Sequence, residues 1–356
     1  MKDKILIINP GSTSTKIAIF KDKEKLAEKS LSHSAEELAQ FKKLNEQLNY
    51  RKGMITKFLE EENIDLAEFK AIAARGGLLD SIPGGTYEVN SAMLAKLNDP
   101  TTRQHACNLA ALIANEYTKE YDIPAFIVDP VVVDEMIDIA RISGHKNFER
   151  ISTFHALNQK ARAREVAEEL GRNYEDCNFV VVHMGGGITI GSHIKGKVVD
   201  VNDGLDGEGP FTPERTGTLP MGQFADYIYN NDFTRKEVQA QLVGQGGIVS
   251  YLGTNDLRQV VERVENNDKD AVLVFNAMAY QIAKYIAYFS VIAKGKLDAI
   301  VLTGGMAYSE LLMKEIESYV SWIAPVYVKA GEKELEALNL GVLRVLNGKE
   351  KVKVYK

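Results

Sequence analysis

Two segments of this chain align over eleven residues without a gap, and each indicates a strand, a tight turn and a second strand. Residues 5–15 are Ile-Leu-Ile-Ile-Asn-Pro-Gly-Ser-Thr-Ser-Thr, and residues 179–189 are Phe-Val-Val-Val-His-Met-Gly-Gly-Gly-Ile-Thr. In both, an apolar run ends at one polar residue, Asn9 or His183, and is followed by a glycine turn and a β-branched strand. The backbone N–H groups of such a hairpin can face an anion. The repeat therefore predicts a duplicated fold that holds phosphate between its halves.

The length of 356 residues exceeds one ordinary hydrophobic core, so we expect two domains. A charged content of 26% and a net charge of -6 give no basic excess to attract nucleic acid or an anionic membrane. The expected partners are small molecules and copies of the chain itself, as a homo-oligomer of at least two subunits. Cys107 and Cys177 lack paired spacing, which excludes a disulfide framework and a thiolate metal site.

No targeting segment is predicted. Residues 1–5 lead directly into a strand pattern, unlike a secretory signal sequence, so a cytoplasmic location is expected. The most apolar long stretch, residues 271–293, favours a buried helix over a membrane span, because three polar residues that roughly share one helix face interrupt it: Asn276, Gln281 and Lys284.

Apolar periodicity predicts strands that alternate with helices, which is typical of layered α/β proteins. Capping boxes at Ser34-x-x-Glu37 and Thr234-x-x-Glu237 mark two helix starts, and Gly171 marks a helix end. The predicted helices span residues 34–62, 108–121, 155–170 and 268–293, with further ones starting near 234 and 309, and predicted strands lie at 71–74, 125–128 and 299–302. The chain has no low-complexity linker, so we expect a broad, hinged contact between its halves.

The segment Gly11–Lys16 superficially resembles a P-loop, but it lacks the second glycine and is followed by a strand pattern, so Walker-type binding is rejected. Each glycine-rich turn by itself is equally well explained as a simple hairpin. Three such strand ends, near residues 11, 185 and 304, favour a nucleotide cradle. Asn9 and His183 precede two of these turns and could donate to phosphate oxygens. For His183 the alternative is a buried structural histidine.

Residues 7–16 resemble the opening motif of the acetokinase family, the acetate and butyrate kinases within the sugar kinase, heat-shock protein 70 and actin superfamily. Further family-like blocks follow in order along nearly the whole chain: Arg75 with its glycine-rich loop, His105-x-x-Asn108-Leu109, Val128–Pro130, Thr153–His155, Val182–Gly187, Pro213–Gly217, Thr303–Met306 and Gly331–Glu334. Pro10, residues 82–90 and the triple-glycine turn resemble the butyrate kinase branch, and the chain is short for an acetate kinase.

The resemblance implies an α/β, duplicated actin-like fold with two domains and a cleft between them. Residues 1–133 plus about 338–356 would form the acyl-substrate side, and residues 134–337 the nucleotide-binding domain. Asn9 and Arg75 then lie in one half, whereas His183, Arg215 and Gly304 lie in the other, so the halves are expected to close over the site.

The implied reaction converts a carboxylate and ATP, with Mg²⁺, reversibly into an acyl phosphate and ADP. Because a carboxylate is already deprotonated, catalysis reduces to charge neutralisation and in-line positioning. Arg75 and Arg215 match the two active-site arginines of the family, and a planar guanidinium suits both a carboxylate and a transferring phosphoryl group. Without the resemblance, either arginine would be taken for a solvated surface charge.

The resemblance assigns further roles. Asp129 would orient catalytic groups, although an Asp before Pro130 is also typical of a turn, and His155 would steady the transferred group, although it could simply start a helix. The nucleotide (ATP or ADP) would contact Asn9, Ser12, Thr13, Lys16, His183, Gly185, Gly186, Gly187, Gly304, Gly305 and Met306. The metal-linked acid would be Glu332 or Glu334, with Glu334 and Asn9 preferred as the Mg²⁺ pair.

The predicted substrate pocket comprises Gly76, Gly77, His105 and Phe154. Acetate kinases carry two valines after the first arginine, where this chain has Gly76 and Gly77. Less bulk beside the arginine predicts a deeper apolar pocket and a preference for butyrate or isobutyrate, with overlap toward valerate and propionate because each methylene contributes only about 1–3 kcal/mol of discrimination. The alternative is that Gly77 is needed for a positive φ.

Rival functions remain at this point. An acetate or propionate kinase of the same family and a non-enzymatic actin-like ATP switch would share the hairpins, although a switch has no need for two arginines directed at a carboxylate. A repressor of the superfamily would carry a Cys-rich zinc site, and a carbamoyl-transfer relative would carry closely spaced histidines; neither pattern occurs in this sequence.

Overall fold

The computed structural model describes residues 2–356, which form two compact units: residues 2–133 with 333–356, and residues 134–332. The strands, in chain order, are β1 Lys4–Pro10, β2 Ser14–Lys21, β3 Glu24–Ser32, β4 Phe69–Ala74, β5 Thr86–Glu88, β6 Ala125–Val128, β7 Asn178–Met184, β8 Ile188–Ile194, β9 Lys197–Val201, β10 Ala299–Gly304, β11 Val326–Ala330 and β12 Lys353–Val354.

The α-helices are α1 Ala35–Ala39, α2 Leu48–Glu61, α3 Ser91–Asn98, α4 Asn108–Tyr121, α5 Asp138–Arg141, α6 Ala156–Glu169, α7 Met221–Tyr229, α8 Arg235–Leu242, α9 Ile248–Leu252, α10 Leu257–Glu265, α11 Lys269–Ser290, α12 Glu310–Val320 and α13 Glu334–Leu346. Short 3₁₀ turns lie at Leu44–Gln47, Leu66–Glu68, Tyr174–Asp176, Val291–Ala293 and Gly305–Tyr308.

The first unit is built on a seven-stranded sheet with the order β12-β5-β6-β4-β1-β2-β3. Strands β1, β2 and β3 form an antiparallel meander, and β4 runs parallel to β1. Buried aliphatic side chains of β1 and β4, such as Leu6 and Ile72, pack with Phe58 of α2 and Ile113 of α4. Helix α13 also contacts β1, β4 and β6. Because β1 and β4 run parallel, both end at one edge of the sheet, where the polar residues that follow them meet.

The second unit repeats this arrangement in a five-stranded sheet with the order β11-β10-β7-β8-β9. Strands β7, β8 and β9 form the antiparallel meander, and β10 runs parallel to β7. Phe275 and Ile282 of α11 pack in one core with Val182, and Val166 of α6 packs in another with Phe179. The same strand order around β1 and around β7 confirms the duplicated α/β fold predicted from the two hairpins.

The copies differ by one residue in their turns. Asn9 pairs with Lys16 across the first hairpin, whereas His183, its counterpart, pairs with Thr189 across the second. Four residues separate the last pair of the first hairpin, Pro10 and Thr15, and three glycines separate the last pair of the second. The gapless alignment of the sequence therefore holds for β1 and β7 but not for the strands that return.

The predicted helix over residues 34–62 is divided into α1, a 3₁₀ turn and α2. The capping box of Ser34 and Glu37 is present. A second cap interrupts the helix, because the Glu46 carboxylate accepts from the backbone N–H groups of Lys42 and Lys43 and starts a new turn there.

No helix among residues 2–356 is long and apolar enough to cross a membrane.

The predicted boundary near residue 338 is corrected to residues 332 and 333. Helix α13 begins at Glu334, and its whole length belongs to the first unit because its apolar side packs on β1, β4 and β6. The correction matters for the site, since it places Glu334 in the first unit and Glu332 in the second.

Candidate functional site

At the edge of the first sheet, three predicted residues are in contact. Asn9 is the polar residue near the end of β1. Arg75 directly follows β4, and its backbone N–H donates to the carbonyl oxygen of Ile8 at 2.9 Å. Glu334, the first residue of α13, accepts from Asn9 Nδ2 at 2.8 Å through Oε2 and from Arg75 through Oε1. The structure thus brings together one amide, one guanidinium and one carboxylate whose positions are set by two strand ends and a helix start.

The carboxyl group of Glu334 is ionised in this cluster. Burial alone would raise its pKa, but the charge and hydrogen bond of Arg75, the hydrogen bond of Asn9 and the charge of Lys16 outweigh burial and lower it. Glu332, the alternative acid, has a half-exposed side chain 3.6 Å from His183 Nε2 in the second unit. Glu334 contacts Asn9 within the first unit.

Asp129 holds a loop by both its backbone and its side chain. Its N–H donates to the carbonyl oxygen of Gly85 at 3.0 Å, and its Oδ1 accepts from the N–H of Gly85 at 2.7 Å. The residue is buried and has a φ of 37°, a strained conformation for a non-glycine residue. These contacts support a structural role for Asp129, because the two hydrogen bonds to Gly85 fix the Pro83–Gly85 loop.

The structure contradicts the inference that Gly76 and Gly77 leave extra pocket volume. A Cβ at Gly76 would collide with Pro130, and a Cβ at Gly77 would lie 2.6 Å from Leu97 Cδ2 and 2.9 Å from Asn108 Cα. Neither glycine has a positive φ, so the alternative based on a positive φ is also wrong. Both are glycine because backbone and side chains pack directly against them.

His105 and Cys107 lie beside this loop. Desolvation and the charges of Arg75 and Arg103 lower the pKa of His105, whose Nδ1 lies 3.0 Å from Cys107 Sγ. Burial raises the pKa of the Cys107 thiol to about 11, so it is not a thiolate nucleophile at neutral pH. Asn108 is fully buried and accepts from the N–H of Leu78 at 2.8 Å. His105 is therefore near Arg75, as the substrate-pocket prediction requires.

In the second unit, the imidazole rings of His155 and His183 are stacked, with centroids 3.8 Å apart and planes 9° from parallel. His155 precedes α6 and its Nδ1 lies 2.9 Å from Thr189 Oγ1. His183 Nδ1 lies 2.8 Å from Asn158 Oδ1, whose amide nitrogen donates to the Glu332 carbonyl oxygen. Since Asn158 Oδ1 is an acceptor, Nδ1 of His183 carries a proton, and Nε2 can donate to an oxyanion only when the ring is doubly protonated.

Arg215 packs on the triple-glycine turn. Its guanidinium occupies the space beside Gly187 where a Cβ would lie and donates to the carbonyl oxygen of Gly204. Thr212, at the start of the same loop, donates its hydroxyl to the carbonyl oxygen of Gly186 at 2.6 Å. The loop that carries Arg215 is thereby fixed to the turn at Gly185–Gly187. Phe154, which was predicted for the substrate pocket, is buried next to His155 in this unit.

Gly304 ends β10 and is sterically required. Its φ is 90°, and a Cβ there would collide with the backbone of Met184. The residues that follow, Gly305 and Met306, line a cavity of about 550 Å³ within the second unit. A cavity of this size and mainly apolar lining is typical of a small-molecule site. No sequence motif predicted a second wall of this cavity, which comprises Asn255, Asp256, Leu257, Arg258, Val261, Glu262 and Glu265.

That wall carries a weak sequence signal. Asp256 caps α10 by accepting from the N–H of Arg258 at 3.0 Å, and the apolar positions of this helix recur at helical spacing. Glu214 connects the wall to the glycine turn, since its carboxylate accepts from Asn255 Nδ2 and lies next to Gly186. An Asp before an amphipathic helix predicts a helix start but not a cavity.

Comparison with known proteins finds a matching family model and several similar structures. Residues 143–319 match the model of the Acetokinase family. The structure is similar to the acetate kinase of Porphyromonas gingivalis, with a TM-score of 0.76, 16% identity and coverage of 96% of this chain and 99% of that chain. It is also similar to a propionate kinase of Francisella tularensis subsp. tularensis, with a TM-score of 0.71, 21% identity and coverage of 95% and 98%.

A more distant likeness is to a ROK family protein of Streptococcus pneumoniae, with a TM-score of 0.51, 14% identity and coverage of 97% of this chain and 99% of that chain. These structures confirm the actin-like fold shared by acetokinases and sugar kinases. The family match covers residues 143–319, just under half of the chain.

We predict that Gly77→Val will destabilise the protein and lower activity toward all acids alike, leaving the butyrate-to-acetate ratio unchanged. The added side chain meets Leu97 and the Asn108 backbone, and overpacking of this kind costs about 1–3 kcal/mol. Thermal melting and kcat/KM for both acids test this. Gly53→Ala in α2 is the control, since a Cβ there meets nothing within 4 Å. A stable Gly77→Val variant with a shifted ratio would restore the pocket-depth inference.

We also predict a pH-dependent contribution of Glu334 to stability. Because its folded pKa is lowered, the ionised contacts with Arg75 and Asn9 contribute fully above the unfolded pKa of about 4.3 and are lost as pH falls through the folded value. The melting temperatures of the native protein and Glu334→Gln should therefore differ most near pH 6–7 and converge below pH 4. A difference that is constant across this range would contradict the ionised state.

Proposed function

We propose that this protein is a carboxylate kinase that reversibly transfers the γ-phosphoryl group of ATP to a short-chain carboxylic acid, forming an acyl phosphate and ADP. The observation that carries the proposal is the partly buried contact of Arg75 and Asn9 with the ionised carboxylate of Glu334. This cluster supplies a guanidinium for an anionic substrate and a carboxylate for a divalent cation. The family match and the likeness to acetate and propionate kinases support the same reaction.

The chemistry requires no general base. The substrate carboxylate is already the nucleophile, so the protein has to neutralise charge and hold the reacting oxygen in line with the phosphoryl group. Arg75 would bind the carboxylate or the phosphoryl oxygens through its planar fork. Arg215 would act on the transferring group: its Nε is buried and donates to no described atom, which leaves a donor for an oxyanion. His155 would steady that group, and Asp129 would hold the Pro83–Gly85 loop.

The nucleotide would bind to glycine-rich strand ends and the cavity of the second unit. Gly304, Gly305 and Met306 would contact the adenosine together with the cavity wall around Asp256, whose carboxylate suits ribose hydroxyls. The phosphates would contact the hairpin turns through the remaining predicted residues: Asn9, Ser12, Thr13, Lys16, His183, Gly185, Gly186 and Gly187.

Mg²⁺ would be held by Glu334 with Asn9 adjacent. Among residues 2–356, no group of three or more His, Cys, Asp or Glu side chains could hold a metal by itself. Mg²⁺ is commonly bound through one or two carboxylates plus substrate phosphates and water, so a single ionised carboxylate fits this ion. When bound, the ion would neutralise phosphate charge.

For the acid, we propose butyrate or isobutyrate. The support is the butyrate-kinase-like sequence at Pro10, residues 82–90 and the triple-glycine turn, since the argument from Gly76 and Gly77 no longer applies. Acetate or propionate is the second candidate, favoured by the named enzymes among the similar structures.

We predict that the protein with MgATP will convert butyrate or isobutyrate into an acyl phosphate that hydroxylamine traps as a hydroxamate. Acids from acetate to valerate should be compared in one assay, and the largest kcat/KM identifies the substrate. A rate for acetate or propionate above that for butyrate would reject the butyrate branch. Product formation at the background rate for every acid, together with nucleotide binding, would instead support the non-enzymatic ATP switch.

Arg75→Ala and Arg215→Ala should each lower kcat by roughly 10²-fold or more, because charged hydrogen bonds contribute about 1.5–3 kcal/mol and strengthen as charge develops. Arg344→Ala and Arg172→Ala are matched controls, since each arginine pairs with one acid away from the cluster. Near-native turnover combined with a lower melting temperature would show that the arginine concerned is structural.

A further inference from the structure

A buried arginine donates hydrogen bonds to the first hairpin turn, residues 11–14, and has no role in the function proposed above. Arg51 lies on α2 and is 1% exposed. Its Nη1 donates to the carbonyl oxygens of Gly11 and Ser14 at 2.9 and 3.2 Å, and its Nη2 donates to that of Ser12 at 3.1 Å. No ion pair of Arg51 with a carboxylate occurs among the described residues. The buried cation is therefore compensated by carbonyl dipoles of one turn and by Gln47 Oε1, which accepts from Nε and Nη2 at 3.1 and 3.0 Å.

Each backbone carbonyl oxygen of residues 11–14 accepts a hydrogen bond from the protein itself. The carbonyl oxygen of Thr13, which Arg51 does not reach, accepts from the N–H of His33 at 2.8 Å, and that of Ser14 also accepts from the N–H of Gly11 at 2.7 Å. By contrast, no described hydrogen bond uses the N–H groups of Ser12 and Thr13, and both residues are exposed. A turn with engaged carbonyls and available N–H groups is an anion site.

We propose that Arg51 is a positioning residue for nucleotide phosphate: it holds the carbonyl groups of the 11–14 turn inward, so that the N–H groups of Ser12 and Thr13 face a phosphate. The bound phosphate would also compensate the buried guanidinium charge, which interacts with it through the turn. This inference rests on the proposed function and identifies a residue of its nucleotide site.

The charge of Arg51 is constant over the working pH range. Desolvation lowers the pKa of Arg51, yet arginine stays protonated in proteins. Burial and the charge of Arg51 lower the pKa of His33 to about 4, so His33 is neutral near pH 7. Its ring lies 2.8 Å from Thr15 Oγ1, which also accepts from Arg51 Nη1 at 3.0 Å. Arg51 is thus the one cation of this contact group at neutral pH.

The test compares the native protein with Arg51→Gln and Arg51→Lys, and with Arg344→Gln as a control that loses an arginine away from the turn, in the ion pair with Glu350 of the same unit. Arg51→Gln should raise the KM for MgATP by about tenfold or more while the KM for the acid stays nearly unchanged. Arg51→Lys keeps the charge with fewer donors, so its KM for MgATP should lie between those of the native protein and Arg51→Gln. Arg344→Gln should retain the native KM for MgATP.

A second readout does not depend on turnover. ADP and pyrophosphate should raise the melting temperature of the native protein and of Arg344→Gln, and raise that of Arg51→Gln less. If Arg51→Gln does not fold, Arg51→Lys carries both comparisons. Unchanged KM for MgATP and unchanged stabilisation by pyrophosphate in a folded Arg51 variant would overturn the proposal. If the native protein makes no acyl phosphate, the proposed function fails, and the pyrophosphate comparison still decides the role of Arg51.

Discussion

The parallel pairing of β1 and β4 is the constraint on which the first half of the site depends. Because both strands end at the same sheet edge, Asn9 and Arg75 become neighbours although 65 residues of sequence separate them. A backbone hydrogen bond from Arg75 to Ile8 continues the pairing one residue past the strand. Helix α13 then adds Glu334 from the far end of the chain. The guanidinium and the carboxylate are consequently held by backbone pairing and helix packing, with little freedom to separate.

A related constraint acts in the second unit, where β10 runs parallel to β7. Gly304 approaches the backbone of Met184 so closely that a side chain cannot fit, and its positive φ directs the chain into the cavity at Gly305 and Met306. The glycine turn at residues 185–187 is fixed to the loop of Arg215 by Thr212. In each unit, a parallel strand beside a hairpin therefore determines where the functional groups meet.

The sequence predicted those parts of the site that lie at strand ends. A polar residue after an apolar run marked Asn9 and His183 as candidates, and the hairpin repeat predicted the duplicated fold. Contacts between distant segments were not predictable from local patterns. Gly77 looks like a residue that leaves space, but Leu97 and Asn108 occupy that space. Arg51 is one basic residue among 43 in the sequence, and only the packing of α2 against the turn shows its burial. The cavity wall at Asp256 was missed for the same reason.

Because the two hairpin turns differ by one residue, residues of β2 and β8 that align in sequence lie on opposite faces of their sheets. Side chains alternate along a strand, so a shift of one residue exchanges the two sides of the sheet. Thr15 and Thr189 align in sequence, yet Thr15 contacts Arg51 of α2, which joins β3 to β4, whereas Thr189 contacts Gln159 of α6 and not the corresponding connector α11. The strands of the two hairpins therefore cannot be exchanged position by position along the sequence alignment. A chimera that placed residues 15–21 at positions 189–195, as the sequence alignment suggests, would direct each transplanted side chain to the wrong layer of the second unit.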